Sequence, residues 1–168
     1  MSTQNPIVAV VMGSASDLPV MQGAVDALTR FGLPHEVRVV SAHRTPDRMI
    51  AFGQAAAGRG LRVIIAGAGG AAHVAGMLAA KTTVPVFGVP IAATALQGLD
   101  SLFSIVQMPK GVPVATFAIG AAGAANAAIF AVQILAATDS ELQAKLLAWR
   151  AARRDEVLAQ SLDDEVPA

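Results

Sequence analysis

The chain has 168 residues, enough for one domain of ordinary size with a substantial core. Twelve basic and twelve acidic side chains cancel, which speaks against nucleic acid or an anionic membrane as partner. Cysteine is absent, so disulfides, thiolate metal sites and a cysteine nucleophile are excluded. Met1 to Pro6 is short and polar, without the basic-then-apolar pattern of a secretion signal, so the cytoplasm is the expected location.

Along the chain, strand-like and helix-like segments alternate. Ile7–Met12 is a continuous apolar run, followed by the Gly13-Ser14-Ala15-Ser16-Asp17 turn and a helix from about Asp17 to Phe31. Gly32 and Pro34 close that helix, and His35–Val40 reads as a second strand. Ser41-Ala42-His43-Arg44-Thr45 is a connecting loop, because Pro46 suits the first turn of a helix running to about Ala57. Arg62–Ala66 is the third strand, Gly67–Gly70 a tight loop, and Ala71–Lys81 a helix. Pro85–Val89 and Val112–Phe117 supply two more strands. Between them, Pro90–Gly98 and Gln107–Pro113 are rich in glycine and proline and suit lids, with Asp100-Ser101 placed to cap the intervening helix.

Short apolar runs separated by helices specify a parallel sheet covered on both faces. The expected architecture is a single α/β domain over residues 1–168, a three-layer doubly wound sheet of the flavodoxin-like or Rossmann-like kind. The uncharged run from Gly111 to Thr138 exceeds the roughly 20 residues that span a bilayer, but its β-like beginning and its Gly, Asn and Gln interruptions favour a buried strand plus a helix. Gly123 and Ala127 on that helix would let another helix approach closely. The last helix runs from about Asp139 to Gln160, with capping-box spacing in Ser140-Glu141-Leu142-Gln143 and an apolar face of Leu142, Leu146 and Trp149. Residues 161–168 form a tail.

Charge is unevenly spread. Residues 1–138 carry 13 of the 24 charged side chains and residues 139–168 the other 11. The body therefore has roughly a third of the usual charged fraction, about 25%. A monomer would expose too much apolar surface, and a homo-oligomer resolves this.

Three loops follow successive strands and should emerge on one edge of the sheet, where open α/β folds bind ligands. In the first, Gly13 permits a sharp turn, and hydroxyls with free N–H groups at a helix start attract phosphate. Asp17 suits sugar hydroxyls, and plain capping by Ser16 or Asp17 is an equal alternative. In the second, Arg44 with the Ser14, Ser16 and Ser41 hydroxyls makes a phosphate site. His43 is the evident proton shuttle near neutral pH. In the third, the small residues Ala68, Gly69 and Gly70 let a ligand meet the backbone, and His73 follows. G-x-G-x-x-G fails at Ala72, no Walker pattern is present, and no cluster has metal-ligand spacing. The residues point to cofactor-free proton chemistry on a phosphorylated sugar derivative.

GSASD, SAHRTP, AGAGGAAH, DSLFSIVQMPKGVPVATFAIG and AGAAN together resemble the PurE family of purine biosynthesis, in its bacterial class I branch, from about Ile7 to Arg150. The resemblance implies conversion of N5-carboxyaminoimidazole ribonucleotide to 4-carboxy-5-aminoimidazole ribonucleotide, in an octamer, without ATP, metal or organic cofactor. It implies substrate contacts at Ser14, Asp17 and Arg44, with Ser16 and Ser41 nearby. It makes His43 the general acid/base, and Ala68–Gly70 with His73 the holders of released CO2. Where the family usually reads HLPGM, this chain has His73-Val74-Ala75-Gly76-Met77, and the missing proline implies a looser His73 loop with slower turnover. The competing readings are a carboxylase using aminoimidazole ribonucleotide and free CO2, a non-catalytic nucleotide-binding module, and a purely structural oligomer.

Overall fold

The computed structural model describes residues 5–160; the tail expected at 161–168 and the first four residues lie outside that range. Five strands form a parallel sheet: β1 (Val8–Met12), β2 (His35–Val39), β3 (Val63–Gly69), β4 (Val86–Ile91) and β5 (Ala115–Thr116), in the order β2-β1-β3-β4-β5. Every residue of β1 is buried, as expected of a strand with layers on both faces. On one face Val8, Val10 and Met12 pack with Met21, Leu28 and Ala124. On the other, Ala9 and Val11 pack with Met49, Leu78 and Ile105. Each such buried aliphatic side chain stabilises the fold by about 1.5–3 kcal/mol.

The helices are α1 (Leu18–Phe31), α2 (Pro46–Ala56), α3 (Val74–Ala79), α4 (Leu99–Val106), α5 (Ala121–Ala136) and α6 (Ser140–Leu158), with a 3₁₀ turn at Ala15–Asp17 before α1. Gly32 ends α1 at φ 72°, its N–H bonded to the Leu28 and Thr29 carbonyls. Chain direction from β1 goes first to β2 and then, past β1, to β3. Their carboxyl ends therefore flank the point where strand order reverses, the usual ligand position in such sheets.

Several local expectations need correction. β3 continues through Gly69, so Gly67 and Gly69 belong to the sheet, paired with Val89 and Ile91, and are not a loop. Met21 occupies the space that a Cβ on Gly67 would need. β4 likewise runs on through Pro90 to Ile91. α3 starts only at Val74 and ends at Ala79. β5 is reduced to two residues, since Pro113 has no N–H to offer the ladder. Asp139, not Ser140, caps α6, accepting from Glu141 and Leu142 N–H at 3.1 and 3.0 Å. Gly98 at φ 87° precedes α4, and Asp100 lies inside its first turn.

The apolar run from residue 111 to 138 becomes β5 and the 16-residue α5, and no helix among the described residues is long and apolar enough to cross a membrane. Several small residues of α5 pack within its own subunit. Ala124, Ala127, Ala128 and Ala131 are wholly buried with residues of α1, and a Cβ on Gly23 of α1 would lie 3.2 Å from the Ala121 carbonyl. A Cβ at Gly123 would strike the Ala118 carbonyl. Leu142 and Leu146 of α6 are buried with Phe31 and Val132, and Trp149 meets Phe31 edge-on at 5.9 Å.

Candidate active site

The three junctions after β1, β2 and β3 meet around a cavity of about 340 Å³. From the first come Gly13, Ser14 and Asp17. Ser14 is extended at φ −149°, and its side chain caps the 3₁₀ turn by accepting from Ser16 N–H at 3.3 Å. Its own N–H donates to Asp17 Oδ2 at 3.1 Å. Capping and pocket lining thus coincide on the same two residues, so the two readings of this loop do not compete. Ser16 is exposed and outside the pocket wall; its hydroxyl donates to Ser14 Oγ at 2.8 Å and fixes that group. Burial pushes the Asp17 carboxyl above its ordinary value, opposed by the Ser14 N–H and by the Arg44 charge.

The second junction supplies Ser41, Ala42, His43 and Arg44. Ser41 is buried, and its Oγ accepts from Arg44 N–H at 3.3 Å and from Arg44 Nε at 3.2 Å. Arg44 Nη2 donates to the Gly13 carbonyl at 2.6 Å, tying the second loop to the first. The guanidinium is thereby oriented while keeping donors for an anion. Pro46 opens α2 as expected.

The third junction contributes Ala68, Gly69, Ala71 and Val74, with Ala93 facing them from beyond β4. Gly69 is required here: a Cβ on it would lie 2.5 Å from the Ala93 Cβ. Gly70 turns the chain at φ 63° and, like His73, lies outside the pocket wall. His73 nevertheless reaches the site through a hydrogen bond that sequence spacing does not foretell. Its Nδ1 is 2.8 Å from His43 Nε2, with the rings edge-to-face at 4.9 Å. One ring donates and the other accepts, so the bond holds a single proton between them. His43 Nδ1 has no protein partner among the described residues and is free to meet a ligand.

In the segment that lacks the family's proline, His73 N–H bonds the Ala71 carbonyl at 2.8 Å, and Ala75 is wholly buried in the first turn of α3. The two lid candidates part company. Ala93 brings the first to the pocket, whereas Gly111 and Pro113 of the second line a separate cavity with Thr83 and Val86. Val74 carried no signal in the sequence, and Ala71 and Ala93 were marked only as parts of a small-residue loop and a lid segment, since small apolar residues look the same wherever they fall. Among the described residues no three His, Asp or Glu side chains converge to hold a metal ion.

A parallel sheet of this order, with a hydroxyl- and arginine-lined pocket at its switch point, defines a flavodoxin-like ligand-binding α/β protein. The chain belongs to the AIR carboxylase family, whose model matches residues 7–156. It is 60% identical over 158 residues to the N5-carboxyaminoimidazole ribonucleotide mutase of Escherichia coli, covering 94% of each chain. It is also 56% identical to the Bacillus subtilis mutase, covering 93% of this chain and 96% of that one. The Mycobacterium tuberculosis mutase is 55% identical, with 95% and 91% covered. The crystal structure of Treponema denticola PurE superposes with a TM-score of 0.81 at 23% identity, over 91% of this chain and 94% of that one, a likeness of fold.

Proposed function

We propose that this chain is an N5-carboxyaminoimidazole ribonucleotide mutase of purine biosynthesis, moving a carboxylate from the exocyclic nitrogen to ring carbon 4. The observation that carries the reading is 60% identity to the Escherichia coli mutase across 94% of both chains. The pocket's chemistry agrees with it. Arg44, with Ser14 and Ser41, suits the phosphate, and Asp17 Oδ1, left free by the Ser14 bond to Oδ2, suits a ribose hydroxyl.

In this mechanism the N–C bond to the carboxylate breaks, CO2 is released, and the nitrogen takes a proton. Ring carbon 4 then attacks the CO2, and His43 removes the proton on that carbon to restore the aromatic ring. The His73 ring holds His43 in place through their shared proton. The flat surface of Ala68 and Gly69 keeps CO2 against the imidazole. Recombination then stays within one pocket, and effective concentrations in such cases reach many orders of magnitude above bulk.

The name of the family model favours a second reading, a carboxylase acting on aminoimidazole ribonucleotide and CO2. Supplying each substrate separately, without ATP or metal, separates the two. Product from the N5-carboxylated substrate, lost in His43→Asn, supports the mutase. The variant should lose about 10²–10⁴-fold in turnover while still binding ligand, because proton transfer and binding use different groups. Product only from aminoimidazole ribonucleotide with CO2 would establish the carboxylase instead.

The same reading includes a cytoplasmic homo-oligomer, an octamer by family resemblance. Leu96, Leu99, Phe103 and Val106, on α4 and its approach, are 48–60% exposed, a hydrophobic surface suited to a second copy.

A further inference from the structure

Through Ala93 the segment Ala92–Gly98 forms one wall of the pocket, and of its seven residues only the last, Gly98, is buried within the chain. Residues 92 to 97 are all exposed, and its largest side chain, Leu96, points away at 60% exposure. Within the subunit, a hydrogen bond to α4 holds the segment in position. The Thr94 hydroxyl donates to Asp100 Oδ2 at 2.6 Å and accepts from Leu96 N–H at 3.1 Å. Asp100 Oδ1 accepts from Ser101 N–H at 2.9 Å. The wholly buried Ser101 hydroxyl donates to the Ile91 carbonyl at 2.8 Å, closing the circuit where the segment leaves β4. Two consecutive left-handed residues, Gln97 at φ 55° and Gly98 at φ 87°, bring the chain back, and Gln97 is the one non-glycine with positive φ among the described residues. A Cβ on Gly98 would lie 3.3 Å from Ala92 Cα, so the ends of the segment touch.

What this circuit positions is specific. The Ala93 methyl sits directly over Gly69, and the Thr94 methyl lies 3.6 Å from the Cβ position of Gly70. Gly69 belongs to the surface against which the proposed mechanism keeps CO2, and Gly70 is the turn that ends it. The remaining Thr94 group, its hydroxyl, is the latch. Hydrogen bonds from Thr94 and Ser101 hold the Asp100 carboxyl below its ordinary value, keeping it an ionised acceptor at neutral pH.

We infer that Thr94 and Asp100 are positioning residues that fasten the Ala93 wall over Gly69 and so retain CO2 between its release and its recapture. The inference rests on the mutase reading and adds a determinant of how completely the transferred carboxylate stays in the site. If the wall loosens, the first half of the reaction still occurs. The N–C bond breaks and the nitrogen is protonated, but CO2 escapes, leaving aminoimidazole ribonucleotide as the second product.

The test measures partition rather than rate. N5-carboxyaminoimidazole ribonucleotide is turned over in buffer containing ¹³C-bicarbonate, and an enzyme-free blank is subtracted. The share released as aminoimidazole ribonucleotide and the label in the carboxylated product are then measured. Thr94→Val, which keeps the shape and loses the hydroxyl, should raise both at least several-fold. Thr94→Ser should behave as the unaltered protein, and Asp100→Asn, with one acceptor left for two donors, should fall between. Thr94→Val with an unchanged share, whatever its rate, would overturn the inference, as would equal leakage from Thr94→Ser. Failure of the mutase reading is distinct: the unaltered protein would then form no carboxylated product.

Discussion

The junctions after β2 and after β3 flank β1 on the same edge of the sheet and work in opposite ways. After β2, Ser41, His43 and Arg44 act through side chains: an acceptor, a proton carrier and a fixed cation, with Arg44 bound to Ser41 and to Gly13. After β3, Gly69 acts through the absence of one, because the space of its missing Cβ is filled by Ala93. The first junction supplies charge and the second supplies room. Their single side-chain link is the His43–His73 hydrogen bond. A site that moves a carboxylate between two atoms of one ring needs both, since a proton must be placed and a small neutral molecule must be kept.

The strongest way to break this comparison is to put a carbon where the second junction has none. In Gly69→Ala the new Cβ lies 2.5 Å from the Ala93 Cβ and 3.2 Å from the Ile91 carbonyl. Neither atom belongs to a flexible side-chain tip, so the wall must shift. Turnover should fall on the order of 100-fold, the scale of an ångström-sized misplacement, with KM little changed because the ligand's anchors are elsewhere. Adding Ala93→Gly removes the colliding carbon and should restore most of the turnover. A double variant as slow as the single one would show that Gly69 does more than make room.

The first junction is sharpened by Arg44→Ala. A hydrogen bond to a charged group contributes about 1.5–3 kcal/mol, so KM should rise at least about tenfold while turnover falls less. Part of that rise comes from freeing Ser41 Oγ and the Gly13 carbonyl, which Arg44 now holds together. Steady-state rates over a range of substrate concentrations below and above KM separate the two parameters. A loss confined to turnover would assign Arg44 to chemistry rather than anchoring.

How much of this was legible follows the same division. Groups that act through charge announce themselves by type and place, and SAHRTP could be assigned to a strand–helix junction because Pro46 begins α2. The order of apolar runs likewise led to the parallel sheet. Groups that act by being small do not announce themselves. Gly67 and Gly69 read as a turn because glycine usually marks one, whereas they extend β3 against Met21 and Ala93. The alanines after Gly70 read as helix by propensity, yet Gly70 at φ 63° delays α3 until Val74. The Ala93 contact depends on β3 and β4 being neighbours and the His43–His73 contact on β2 and β3 flanking β1, long-range facts that local patterns do not contain. The capping of α6 by Asp139 was one residue from the Ser140 expected, because either side chain can serve and only backbone geometry decides.

The smallest effect concerns Asp17, where stability and function pull apart. Burial raises its carboxyl above the ordinary value despite the Ser14 N–H and the nearby Arg44, so folding shifts the balance toward the protonated form relative to the unfolded chain. A carboxyl with a raised folded-state pKa contributes stability below its unfolded value and loses that contribution as pH rises through the folded one. At neutral pH the unaltered protein therefore bears the full burden of a partly buried charge. Asp17→Asn removes the charge and keeps an oxygen to accept from Ser14 N–H. The variant should melt higher at pH 7, by no more than about 2 °C, the shift that roughly half a kcal/mol gives a domain of this size. The gap should close as the pH is lowered through the carboxylate range, because the native side chain then becomes neutral too. Ligand binding should weaken over the same neutral range, since the amide presents an N–H₂ where the carboxylate presents its second acceptor. Melting curves from pH 3 to pH 7 decide the matter. A variant less stable at pH 7 would mean that attraction between Asp17 and Arg44 outweighs burial, and that the carboxylate is retained for the fold as well as for the ligand.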